Sequence, residues 1–219
     1  MTNVYKTPEK ATMKAQLFAI GVQALEKNGW KVEREQGSGK SSVRRITKNG
    51  KSMLVAIRTT QDTWIAFPRT EGDKSWRTLD DVDAVVPVSV DDRENPKFAK
   101  VHLIDGDEVR ARFNRAYKAR MDAKHSIPVG RGVWVSLYRH EAKDPVSHVG
   151  AGMGIKFPPI ATVPLSSDQI LSAVAEGNHA VRGVELPTEE ASLTIADAKR
   201  RLAITFGVDV ANIKITVEA

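Results

Sequence analysis

Apolar and polar positions along the chain show two periodicities, one typical of helices and one typical of strands, and their order predicts the order of helices and strands. Residues 10–28 carry apolar side chains at the three- and four-residue spacing of an amphipathic helix, which Asn28-Gly29 ends. Alternation or short apolar runs, typical of strands, then dominate up to residue 138. The predicted strands are WKVER, SVRRITK, SMLVAIRT, TWIAFPR, DAVVPVSV, AKVHLI and GVWVSLY, with a second helix at residues 108–124.

This order predicts an α/β fold, with a mixed β-sheet flanked by helices, for a main domain over residues 1–140. Asn49-Gly50 predicts a tight hairpin turn, because both residues accept positive φ. Three glycines and four prolines predict a linker at residues 141–165. Residues 166–219 combine helical and strand patterns, which predicts a small α+β C-terminal unit.

Composition restricts the chemistry of the chain. Its 219 residues are 41% hydrophobic and 27% charged, a balance typical of globular proteins. The absence of cysteine excludes disulfides, thiolate metal sites and cysteine nucleophiles. No apolar run approaches the roughly 18 residues of a membrane span, and the first apolar segment fits a helix better than a signal peptide. We therefore expect a cytoplasmic protein that does not act at a membrane.

The positive charge of the chain is concentrated in one segment. The net charge is +6, and residues 27–58 hold nine basic residues against two acids, whereas residues 59–96 hold nine acids against four bases. Clustered lysine and arginine residues are typical of proteins that bind nucleic-acid phosphates. DNA is therefore the expected partner.

The sequence Gly39-Lys40-Ser41 matches the end of a phosphate-binding P-loop. The first glycine of that motif would fall at Arg34, and the residues after it alternate like a strand and not like a helix. We therefore predict that this segment is a turn between strands and not a nucleotide site.

A helix, then Gly-Trp-x-Val, a Gly-x-Gly turn and two strands joined by a glycine turn together resemble the PD-(D/E)XK nuclease superfamily. The similarity is to Mrr-like restriction endonucleases and Holliday-junction resolvases, over roughly residues 10–120. It implies a restriction-endonuclease-like core, in which an Asp and an acid-x-Lys pair hold Mg²⁺. Those positions fall here at Arg44, Ala56 and Arg58. The resemblance therefore implies a nuclease fold with no catalytic residues, no metal and no cofactor.

We thus predict a non-catalytic DNA-binding protein, a regulator or accessory factor, that holds double-stranded or branched DNA through a basic β-hairpin. The helix at residues 108–124 is expected to line the same groove. Trp64 and Trp76 either stack on bases or anchor a buried layer. The predicted contact residues are Lys40, Arg44, Arg45, Lys48, Lys51, Arg58, Arg112 and Arg115.

Two other functions are compatible with the sequence. Glu33, Glu35 or Asp62 could restore a metal site and make the protein an active Mg²⁺-dependent nuclease. Against this, both glutamates lie on a strand where they could pair with neighbouring arginines. Alternatively, the C-terminal unit drives homodimerisation in a protein-interaction module. None of the five histidines has the spacing of a metal site, and His102 is expected to be a packed strand residue.

Overall fold

The structure is a computed structural model of the chain. It describes residues 8–35, 41–70, 74–128 and 130–165, and beyond them Lys199 and Lys214 singly. The chain divides into two compact units, Met1–His179 and Ala180–Ala219. Apart from these two lysines, the α+β unit predicted at residues 166–219 lies outside the described residues.

The helices and strands up to residue 138 follow the predicted order, except that the segment AKVHLI contains two strands; a short helix and a further strand lie within residues 141–165. The helices are α1 (Pro8–Lys27), α2 (Gly106–Asp122) and the short α3 (Met153–Lys156). The strands are β1 (Lys31–Arg34), β2 (Val43–Lys48), β3 (Lys51–Thr60), β4 (Trp64–Pro68), β5 (Ala84–Val90), β6 (Phe98–Val101), β7 (Ile104–Asp105), β8 (Gly132–Ser136) and β9 (Ala161–Pro164). Helix α2 begins where Asp105 accepts hydrogen bonds from the backbone N–H groups of Asp107 and Glu108.

The main sheet has the strand order β1-β2-β3-β5-β6-β9, with β7 also paired to β5. Strands β3 and β5 are parallel, and the other pairs are antiparallel. Strand β4, which follows β3 in the chain, is not part of this sheet. It pairs with β8 in a separate two-stranded ribbon. Asn49 and Gly50 have φ of 50° and 76° between the paired residues Lys48 and Lys51, which confirms the predicted hairpin turn.

The two faces of the sheet carry separate apolar cores. Alternate residues of β3, such as Val55 and Ile57, pack with α1, while Ala56 faces the opposite way. On that opposite face, Phe113 of α2 packs with Phe67 of the β4–β8 ribbon. A mixed sheet flanked by helices is therefore confirmed as the α/β fold. In the described part of the chain, no helix is both long and apolar enough to cross a membrane.

Residues 141–165 differ from the predicted linker, because they pack against the main domain. Met153 is fully buried in the core, and β9 pairs with β6 as a strand of the main sheet. Gly150 has a positive φ of 81°, and a Cβ at this position would lie 2.5 Å from the carbonyl oxygen of Arg112. The glycine therefore permits close packing on α2 and does not provide flexibility.

Candidate functional site

A broad groove lies where the parallel strands β3 and β5 end. Thr60 and Val90, the last residues of these strands, both line it, with the first turns of α1 on one side and the β4–β8 ribbon on the other. Its volume is about 1120 Å³. The carboxyl end of parallel strands is the usual ligand-binding position in α/β sheets, because the chain diverges there and leaves a crevice.

The charged side chains along this groove are mostly basic. The cationic ones are Lys10, Lys14, Arg58 and Arg93, and Asp62 is acidic. The carboxylate of Asp62 stabilises the turn after β3, because it accepts hydrogen bonds from Thr60 Oγ1 at 2.6 Å and from the Trp64 N–H at 2.8 Å. Lys14 and Arg93 are exposed and form no ion pair with a described residue. The groove therefore has a positive surface.

Arg58 is the cation held most firmly in this groove. It lies on β3, and its guanidinium group stacks over the ring of Phe67, 4.4 Å from the ring centroid. Burial lowers the pKa of this guanidinium group from its usual value. Its Nε atom is buried, and no described residue accepts a hydrogen bond from it. A buried donor without a partner costs free energy, and a ligand in the groove could meet only the accessible part of the guanidinium group.

Aromatic side chains line the same groove. Phe18 comes from α1, and Trp64 and Trp134 come from the ribbon. Trp134 is 53% exposed although its strand neighbours Val133 and Val135 are buried. Of the two tryptophans that were predicted either to stack on bases or to anchor a buried layer, Trp76 is buried against Phe113 and is therefore an anchor. Trp64 is half-buried and lines the groove.

The predicted basic hairpin does not form one surface. Because side chains alternate along β2, Arg44 and Lys48 lie on the α1 face, over the rings of Phe18 and Trp30, and Arg45 lies on the other face. Arg44 donates hydrogen bonds to the carbonyl oxygens of Ser41 and Val43, and Lys48 donates to that of Asn28.

The remaining predicted contact residues of this segment occupy separate positions. Arg45 forms a two-point pair with Glu35, with distances of 3.0 and 3.1 Å. Lys51 is exposed at the start of β3, and Lys40 lies outside the described residues. Among the predicted contact residues of this segment that the structure describes, Arg58 is the one that lines the groove.

The two predicted arginines of α2 are held by other contacts. Arg112 is 6% exposed, and it donates hydrogen bonds to Glu108 and to the carbonyl oxygens of Gly150 and Ala151. Arg115 forms a two-point pair with Glu141. Neither arginine lines the groove, so the expectation that α2 contributes to it does not match the structure.

The three positions that the nuclease resemblance singles out do not converge on one point. Ala56 and Arg58 share a face of β3, whereas Arg44, paired with Val55, lies on the α1 face. A single metal ion cannot be approached from both faces of a sheet. The resemblance itself stays a prediction.

The acidic residues considered as migrated metal ligands have other partners. Glu33 pairs with Lys31, Glu35 pairs with Arg45, and Asp62 caps the turn after β3. Within the described ranges, no group of three or more His, Asp or Glu side chains is placed to hold a metal ion. The contacts of both glutamates match the alternative in which they are charges of the strand surface.

Comparisons with protein-family models, with curated proteins and with solved structures found no match to this chain.

Proposed function

We propose that the protein binds DNA without cleaving it, and that the groove at the ends of β3 and β5 is where it does so. The observation that carries this proposal is that the partly buried Arg58 and the exposed Lys14 and Arg93 line one groove, and none of them forms an ion pair with a described residue. A phosphate oxygen is a strong acceptor for a guanidinium group, and a partly buried site strengthens the attraction between the two charges.

The other cations of the groove extend this attraction. Lys14 on α1 and Arg93 after β5 come from separate segments and line the same depression as Arg58. A strand of DNA carries phosphates at regular intervals, so a row of separate cations suits it better than it suits a single anion. A role as a regulator or accessory factor, on a nuclease-like fold that lacks catalysis, remains part of the proposal.

The test is a fluorescence-anisotropy titration with labelled single-stranded and double-stranded DNA at several salt concentrations, with and without Mg²⁺. Three phosphate contacts give a slope of log K against log salt of about −2 to −3, depending on the form of DNA. Arg58→Met keeps an unbranched side chain beside Phe67 and removes the charge, so it should weaken binding and reduce the slope by about one. Gels of the same samples report cleavage.

A charge-reversal pair locates the binding surface. Arg93→Glu changes the groove, whereas Lys51→Glu makes the same change in charge on the hairpin and serves as the matched control. We expect the groove variant to bind much more weakly and the hairpin variant to bind nearly as the wild type does. The reverse result would move the interface to the hairpin. Absence of binding at low salt would refute DNA binding, and Mg²⁺-dependent cleavage would favour the nuclease alternative.

A further inference from the structure

The β4–β8 ribbon presents two tryptophans on one face, towards the groove. The register pairs Trp64 with Ser136 and Ala66 with Trp134, so the two indoles are diagonal neighbours on adjacent strands. Both line the groove. The residue opposite Trp134 is an alanine, and the next residue along β8 on that face is Gly132, so Trp134 has little side-chain bulk on these two sides.

The backbone at Trp134 is held in place, although the residue is 53% exposed. Its carbonyl oxygen accepts a hydrogen bond of 2.7 Å from Arg120 Nη2 of α2, and the adjacent Val133 and Val135 are buried in the core. A large aromatic ring on a rigid strand loses little conformational freedom when it binds a flat ligand. Exposed rings beside cations are the arrangement by which proteins stack unpaired bases while they bind the phosphates.

We infer that the groove takes an unpaired DNA strand, with a base stacked on Trp134 and the phosphates directed to Arg58, Lys14 and Arg93; this inference rests on the proposed function. Inside a duplex, the faces of the bases are covered by their neighbours, so an indole presented from a strand stacks most readily on an unpaired base. The groove, with a volume of about 1120 Å³, has room for more than one nucleotide.

The experiment compares three labelled ligands on the full chain. These are an oligothymidine, a strand of equal length and charge that has abasic sites in place of the bases, and a duplex of that length. We expect the oligothymidine to bind most tightly and the abasic strand at least fivefold more weakly. Trp134→Ala should weaken oligothymidine binding by about 5- to 150-fold, the range for loss of one base–aromatic stack. It should leave the abasic strand unaffected.

Two further variants keep the test specific. Trp134→Phe retains a ring and should restore most of the affinity. Phe98→Ala removes another exposed aromatic side chain, which lies on β6 and does not line the groove, and should have no effect. Each variant is checked by circular dichroism, so that loss of fold is not mistaken for loss of contact.

The outcomes separate this inference from the proposed function. If the abasic strand binds as tightly as oligothymidine, or if Trp134→Ala changes nothing, stacking is refuted while phosphate binding by Arg58 stands. Tighter binding of the duplex would refute the preference for unpaired DNA in the same way. If none of the three ligands binds at low salt, the proposed function and this inference both fail.

Discussion

The hydroxyl group of Tyr138 connects two fully buried polar residues, and its removal should destabilise the protein measurably. His102 Nδ1 lies 2.8 Å from the carbonyl oxygen of Phe157, which can only accept, so this nitrogen carries the proton. In the neutral ring, Nε2 is then an acceptor, and Tyr138 donates to it over 2.8 Å. Ser89 in turn donates to Tyr138 over 2.8 Å. The chain of hydrogen bonds therefore runs in one direction.

The direction of these bonds sets the size of the effect of Tyr138→Phe. Loss of the hydroxyl leaves His102 Nε2 without a donor and Ser89 without its acceptor, and both residues are 0% exposed. A buried polar group without a partner costs about 1–3 kcal/mol, and Ser89 can relieve part of its share by rotating its hydroxyl. We therefore expect a loss of about 3 kcal/mol in the free energy of unfolding. For a chain of this size, that lowers Tm by about 6–12 °C.

Calorimetry or urea denaturation of three variants tests this reasoning. Tyr117→Phe is the matched control, since Tyr117 is half-buried beside Trp76 and its hydroxyl forms no hydrogen bond with a described residue. We expect the control to change stability by less than about 0.5 kcal/mol. Ser89→Ala should cost only about 1 kcal/mol, because Tyr138 still donates to His102. A Tyr138→Phe variant as stable as the Tyr117→Phe control would refute the directed chain of hydrogen bonds.

Two further predictions concern pH and a buried arginine. Burial lowers the pKa of His102 in the folded protein. Below about pH 6.5, the unfolded chain therefore binds a proton at this residue more readily than the folded protein does. The stability that neutral His102 contributes is fully present above that pH and is lost as the pH decreases. Calorimetry should show a lower Tm at about pH 5.5 than at about pH 7.5, and an NMR titration of the folded protein should place the pKa of the His102 ring below the usual value of about 6.5. Arg112→Met removes the donors to Glu108 and to the carbonyl oxygens of Gly150 and Ala151, and should cost about 3 kcal/mol in urea denaturation. Arg115→Met breaks a largely exposed pair and should cost less than about 1 kcal/mol; equal costs would contradict the central role of Arg112.

Local patterns were sufficient for most helices and strands of the first 138 residues, because the spacing of apolar residues and the turn residues lie close together in the sequence. Asn49-Gly50 specifies a two-residue turn by itself, and the apolar spacing over residues 10–28 specifies α1. Residues 141–165 could not be placed in the same way. Glycine and proline occur both in flexible linkers and in tightly packed loops, and the reason for Gly150 is the nearby backbone of Arg112, which is distant in sequence.

The groove escaped sequence analysis because its cations are scattered. Lys14, Arg58 and Arg93 come from three segments far apart in the chain. Within residues 27–58, the described basic residues that precede Arg58 do not line the groove with it. The exposure of Trp134 could have been predicted from the sequence. It lies between Val133 and Val135 in a strand, and side chains alternate between the two faces of a strand, so Trp134 points away from the core that buries the two valines. A large aromatic residue that points to solvent from a strand indicates a binding surface, whereas the strand pattern by itself indicates only a fold element.

The basic hairpin illustrates why charge density along a sequence differs from charge available to a ligand. Arg45 is paired with Glu35, and Arg44 and Lys48 are directed to carbonyl oxygens and aromatic rings on the opposite face. Five contacts from the hairpin residues would give a salt slope of about −3.5 to −4.5, whereas the three contacts proposed for Arg58, Lys14 and Arg93 give about −2 to −3. The salt dependence of DNA binding by the unmodified protein therefore discriminates between the two surfaces. Its slope is proportional to the number of cations that contact phosphates and not to the number of basic residues in the sequence.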